Sequence, residues 1–224
     1  MHVEPPKGPI ASLKEFGLHY LMIVLSILTA LGLEEALTLH HNKESAQAAE
    51  ESIERELHGN LADMRDAMKS NRARLEEMRA LGDQVAEAIR QGGNPAALQK
   101  RVSEEFMPKF SVGLLLPSQS REAWEVAVAG QAVTHIPRDR LEAYTAGYTI
   151  EREALAGANS GMLMIDAPRM TDMRADAEIG QVDPKRFLEV VRESAGVNAT
   201  GLSNLVEAEK EMVKVMEKAG IPTN

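Results

Sequence analysis

An all-α fold is what this sequence predicts: an N-terminal transmembrane helix that continues into a long helix and packs with a bundle of five or six helices. Three observations carry that expectation. Ala, Leu, Glu and Met fill the 224 residues while aromatics make up only 4%, a balance that favours helix over sheet. The 18 residues between Glu15 and Glu34 hold no permanent charge. From Leu33 to Leu81 there is no proline, and apolar residues recur at helical spacing.

Composition also closes several routes. Hydrophobic residues reach 44%, enough for a core, and cysteine is absent. Disulfide scaffolds, thiolate metal sites and Cys nucleophiles are therefore excluded. A formal charge of −9 argues against nucleic acid as a partner, because phosphate neutralisation needs basic patches.

Residues 1–15 read as a short tail, with three prolines in its first twelve positions. Residues 16–33, FGLHYLMIVLSILTALGL, read as the transmembrane helix. As a helix they span about 27 Å, slightly under a hydrocarbon core of roughly 30 Å. His19 and Tyr20 mark one edge, where amphipathic rings favour the headgroups, and Glu34 and Glu35 close the other. Ser26 and Thr29 can bond back to helix carbonyls. A buried core helix is the first rival, but the run from Tyr20 to Leu33 is apolar on every face. A cleaved secretory signal is the second, with Ala30-Leu31-Gly32 as a small-x-small site. The helical pattern runs on past that point through Leu37 and Leu39, so the span is expected to be retained. Lys7 and Lys14 precede it and Lys43 follows two glutamates. The positive-inside rule then keeps the N-terminus in the cytoplasm and sends the bulk of the chain across the membrane.

Residues 34–81 read as a long juxtamembrane helix. Leu57, Leu61, Met64, Met68, Leu75 and Met78 follow one another at spacings of 4, 3, 4, 7 and 3, a heptad seam. Asn71 falls on an inner position of it. An intermolecular coiled coil and a stripe for the chain's own later helices both remain open, with the second slightly favoured. If Asn71 faces a partner helix, Asn71→Leu is expected to raise thermal stability while loosening register.

Residues 82–224 read as a helical bundle domain. Gly82 and then Gly92-Gly93-Asn94-Pro95 punctuate the pattern, and Asn94 with Pro95 signals a helix start, with that helix running to Met107. Phe110–Pro117 reads as an extended connector because no second strand exists to pair with it. Ser118 and Ser120 are expected to cap the helix holding Trp124 and Ala127. Pro137 opens another through Tyr144, Tyr148 and Leu155, ended by Gly157–Gly161. Residues 162–182 look least regular. Asp183-Pro184 caps a last long helix to Gly220 that Gly196 and Gly201 are expected to kink.

Candidate chemistry is thin. His40, His41 and Glu44 share a helix turn, too few ligands for a closed zinc site and without HExxH spacing. Twelve methionines, including Met162, Met164, Met170 and Met173, raise a Cu(I) reading, although Met is also a common filler of helix interfaces. His135 has no Ser/Asp grouping around it, and no GxSxG, SxxK, P-loop or GxGxxG occurs. Asn198-Ala199-Thr200 matches the N-glycosylation triplet inside an expected helix. No catalytic, cofactor or metal residue is assigned, and the helical part is expected to fold without metal.

The stretch ALGLEEALTLHHNKESAQAAEESIERELHGNL, at Ala30–Leu61, resembles a group of uncharacterised bacterial single-pass membrane proteins. These close an N-terminal span on Leu-Gly-Leu-Glu, carry a His-His pair one or two turns later, and continue as a charged helix with Glu-Leu-x-x-Asn. LPSQSREAWEVAVAGQAVTHIPRDRLEAYTAGY, at Leu116–Tyr148, is similar to their downstream Ser-x-x-Ala-Trp-x-x-Ala segment, with Ser120, Ala123, Trp124 and Ala127 matching and Tyr148 as the closing tyrosine. Glu35 departs from the pattern, where Gln is more frequent. The two stretches cover under a third of the chain, and the resemblance implies a bacterial envelope protein without implying an activity.

Taken together, the expectation is a non-enzymatic, membrane-anchored extracytoplasmic protein of a bacterial inner membrane. Its partners are the membrane, through residues 16–33, and another protein or a second copy. A ligand-sensing periplasmic helical module acting through a partner is the alternative.

Overall fold

A 79-residue helix, α1 (Leu13–Gln91), is the spine of the protein. The computed structural model describes residues 13–163 and 167–223, and statements of absence below concern those residues. At 1.5 Å per residue α1 is about 120 Å long. The remaining helices are α2 (Pro95–Arg101), α3 (Glu122–Ala129), α4 (Arg138–Leu163), α5 (Ala167–Glu178) and α6 (Pro184–Lys218). No strand is present among the described residues, so the fold is all-α.

The two ends of α1 live in different surroundings. Phe16 to Leu39 keep their large apolar side chains exposed, with no later element packed on them. By length and composition this end is a helix able to cross a membrane, and none of its most apolar window is buried in the protein. Within it Ser26 and Thr29 donate to the carbonyls of Met22 and Leu25, so their hydroxyls stay satisfied without water. The helix does not break at Ala30–Gly32.

From Ala46 onward one face of α1 is buried. The seam residues Leu57, Leu61, Met64, Met68, Leu75 and Met78 all lie in the core. They pack on the chain's own α4 and α6, beside Tyr144, Tyr148, Leu205 and Met212. The seam is thus an intramolecular stripe. Beyond it, Leu81 and Val85 meet Phe106, Met173 and Phe187.

Several boundaries differ from the sequence reading. Gly82 does not end α1, which runs to Gln91 rather than 81. A helical glycine costs roughly 1 kcal/mol against alanine and stops nothing unless the backbone turns left-handed. That turn comes at Gly92 and Gly93, with φ of 71° and 114°. Asn94 does cap α2, its side chain accepting from the Ala96 N–H at 3.0 Å. α2 then passes through a π turn (Val102–Phe106) and a 3-10 turn (Met107–Lys109) before Phe110 leaves extended. α4 continues through Gly157 to Leu163. Residues 167–178, expected to be irregular, form α5. α6 is one unbroken element through Gly196 and Gly201. Asp183 caps it by accepting the Arg186 N–H at 2.7 Å, and left-handed Gly220 closes it as Ile221 donates to the Met216 carbonyl, a Schellman-type stop.

A methyl group added at Gly82 would sit 3.5 Å from Val191 Cγ1, an ordinary contact. Gly82→Ala is expected to raise unfolding free energy by about 0.5–1 kcal/mol, read from urea melts. A loss of stability would mean that the helix needs glycine there.

Candidate functional site

Residues 110–121 run between α2 and α3 without regular structure, so their backbone groups have no ladder to join. Two asparagines on the core side of α1 take that role. Asn71, 1% exposed, donates from Nδ2 to the Leu115 carbonyl and accepts the Leu115 N–H at Oδ1, both at 2.7 Å. Asn60, 2% exposed, does the same for Ser120, at 2.8 and 3.1 Å. Each side-chain amide stands in for a strand partner, and three helical turns separate them. Gly113, with φ of 150°, sits in the same segment and its carbonyl accepts from Arg74.

Glu56 adds a third tie. Its Oε2 accepts the Ala123 N–H at 2.9 Å, so the start of α3 is capped by a side chain from α1. The expected caps, Ser118 and Ser120, do not act: the N-cap is Arg121, without a side-chain cap bond. The other oxygen of Glu56 accepts the Tyr148 hydroxyl. Trp124 lies against Tyr148 with ring centroids 5.6 Å apart, and the Arg121 guanidinium lies over the same ring.

Glu151 closes the group from α4. It is 2% exposed, and its Oε2 accepts the second Asn60 Nδ2 bond at 3.1 Å. Burial pushes its carboxyl up to about 7, with the Asn60 bond opposing and the Glu56 charge adding to the rise. One and two turns nearer the candidate span is a second cluster. Arg140 pairs with Glu50 at 3.1 Å and with Glu54, and Tyr144 donates to Glu54 at 2.7 Å. Burial, then the Glu54 bond, pushes the Tyr144 hydroxyl up, and burial with Glu56 does the same for Tyr148. Burial also raises the Glu50 carboxyl, against the pull of Arg140.

The polar residues singled out from sequence go elsewhere. His40 and Glu44 form an exposed pair at 3.3 Å on the free part of α1, and His135 is exposed at the end of a 3-10 turn. Among the described residues no three His, Asp or Glu side chains gather as metal ligands. Met64, Met68, Met78, Met173, Met212 and Met216 are core residues. Met164 and the side chain of Met162 lie outside the described residues, and Met170 packs on the far core cluster. Asn198 is buried, its Nδ2 donating to the Ser194 carbonyl at 2.8 Å, so the triplet Asn198-Ala199-Thr200 offers no amide for a glycan. By contrast, Glu56, Asn60, Ser120, Ala123, Trp124 and Tyr148, from the two stretches quoted above for their resemblance, meet in one place.

Open grooves flank α1, and two of them lie against other helices. One, of about 470 Å³, lies against α3 and is lined mainly by small side chains such as Ser45, Ala48, Ala49 and Ala127, with Val126 at its rim. The other, of about 430 Å³, lies against α6 with Gly82, Ala195 and Gly196. Neither is lined by Glu56, Asn60, Tyr148 or Glu151. The polar cluster therefore sits between elements and ties them together. No protein-family model, curated protein or solved structure matches the chain.

Burial of Asn71 agrees with the sequence reading, but its partner is the connector backbone and not a helix. The expected gain from Asn71→Leu is thereby reversed. Leucine would leave the Leu115 N–H and carbonyl without a partner, at about 1–3 kcal/mol. Asn71→Leu is expected to lower the denaturation midpoint accordingly, and an unchanged or higher midpoint would contradict the pairing.

Proposed function

We propose that the chain is a membrane-anchored, extracytoplasmic helical protein of a bacterial envelope that works by binding another protein or a second copy of itself. The observation that carries this reading is α1. An apolar end able to span a membrane, bare of packing, shares one helix with the spine on which the bundle is assembled. A tethered protein built this way presents its bundle at a fixed distance from the bilayer. About 18 Å of helix separates Leu33 from Ser45, where the small-residue groove against α3 begins.

Further support comes from what the polar residues do. Glu56, Asn60, Tyr148 and Glu151 spend their bonds on other parts of the chain, which is a structural use. Lys7 and Lys14 before the span, against Lys43 alone just after it, support the orientation with the N-terminus in the cytoplasm. The ligand-sensing alternative would need polar groups converging in one of the grooves; the groove against α3 is lined mainly by small side chains, while the one against α6 carries Arg79 and Asp83 of α1 and Arg192 of α6.

Fusion of two reporters after Asn224 tests the topology. An enzyme that matures only outside the cytoplasm is expected to be active, and a fluorescent protein that matures only inside is expected to stay dark. The opposite pattern would overturn the orientation. A chain whose intact mass lacks residues 1–32 would overturn the anchor.

A further inference from the structure

Asn60 is a shared node. One Nδ2 holds the Ser120 carbonyl of the connector, and the same nitrogen holds Oε2 of Glu151. Glu151 is buried without a cation, since no ion pair reaches it among the described residues. The groups facing it can be named element by element. From α1 come the Glu56 carboxylate and the Asn60 amide. From the connector comes Arg121, whose guanidinium sits over the Tyr148 ring at 5.9 Å. From α4 itself comes the Tyr148 hydroxyl, bonded to Glu56. In this layer α6 contributes the apolar side chains of Ala208 and Met212, while its Glu209 is paired with Arg65 at 2.9 Å.

A neutral carboxyl fits these surroundings, because it can accept from Asn60 and faces Glu56 without repulsion. An ionised one does not. It sits beside a second carboxylate with no counter-charge, and desolvating a charge costs more than desolvating a dipole. Relief requires water, and water reaches Glu151 either by parting α4 from α1 or by lifting the connector. Parting the helices breaks up a packed core of Leu57, Tyr144, Tyr148 and Met212. Lifting the connector near Ser120 breaks the two Asn60 bonds and the Glu56 cap on Ala123. The connector is the weaker side.

We propose that Glu151 is a proton-controlled latch: protonated, it keeps the segment from Ser120 to Ala123 docked on α1, and ionised, it releases that segment. The sign follows from linkage. The carboxyl is held above the ordinary glutamate value of 4.5, at about 7, so docking is fully favoured well below pH 4.5 and is lost as pH rises through 7. The device would therefore answer to pH between the ordinary glutamate range and neutrality, and saturate above about 7. Asn71 and Leu115, held by a separate pair of bonds, lie outside the node and do not respond.

The test uses the full chain in detergent micelles, with amide exchange followed residue by residue by NMR and corrected for the intrinsic pH dependence. The Glu151 side-chain carboxyl carbon is titrated in the same sample. Protection at Ser120 and Ala123 is expected to fall by up to about tenfold per pH unit between pH 4.5 and the Glu151 midpoint near 7 and to level off above it, with Leu115 and the α6 amides unchanged. Glu151→Gln, which keeps an acceptor for Asn60 and removes the charge, is expected to make Ser120 and Ala123 insensitive to pH. A Glu151 carboxyl that titrates like an exposed glutamate would overturn the latch. So would a pH dependence that survives in Glu151→Gln, or a loss of protection spread evenly over Leu115 and α6. If the Gln variant fails to fold, the wild-type titration decides: Ser120 protection that is flat below the Glu151 midpoint, or that goes on falling above it, refutes the proposal.

Discussion

Because α1 is unbroken from Leu13 to Gln91, every other layer of the protein is obliged to find its place along a single continuous helix surface. α3, α4, α6 and the 3-10 turn at Ala132–His135 all pack on it. The core accordingly forms as three patches spaced along one rod, around Leu57, Leu75 and Val85. The continuity has an ordinary cause. No proline interrupts the stretch, and Gly82, one of two glycines in its distal half, lies against Val191 of α6, so packing outweighs a propensity cost of about 1 kcal/mol. The candidate membrane span and the bundle consequently share one backbone, without a loop between them.

A rod of this kind solves packing for helices but not for the chain that joins them. The segment 110–121 has to cross the surface of α1 with its peptide groups satisfied. The sequence places Asn60 and Asn71 on the core side for that purpose, and Glu56 to finish α3. Each spends a core position on a polar group, which is tolerated because both halves of each amide are used. Glu151 is the exception. It shares a donor that is already engaged, and its charge has no partner, so burial, with the Glu56 charge adding to it, holds its proton.

Much of the fold was legible from residue patterns. The charge-free run, the seam from Leu57 to Met78 and the Asn94-Pro95 and Asp183-Pro184 starts all correspond to what the chain does, because helical periodicity and capping act over a few residues. Most of the misplaced helix ends share one cause. Gly82, Gly157, Gly196 and Gly201 look like stops or kinks in the sequence, yet glycine ends a helix where φ turns positive, as at Gly92 and Gly93, and that depends on tertiary surroundings. The tie points were harder. Asn71 could be placed inside from its heptad phase, but its partner is 44 residues away in an irregular segment, which periodicity does not register. Asn60 stands out in the sequence only as the end of the Glu-Leu-x-x-Asn pattern, and Glu151 not at all, although Asn60 and Asn71 lie three turns apart on one face. Charged residues on a helix read as solvated by default, and only the fold reveals that Glu151 points inward.

A distance measurement on α1 tests the central claim most directly. The chain has no cysteine, so spin labels can be attached uniquely at Glu51→Cys and Glu87→Cys, both on its exposed face. Thirty-six residues of uninterrupted helix place the labelled sites about 54 Å apart along the axis. A narrow distribution near that value, unchanged between detergent and bilayer, is the predicted result. A broad or markedly shorter distribution would show that α1 breaks within the bundle, and the account of a single spine would fall with it.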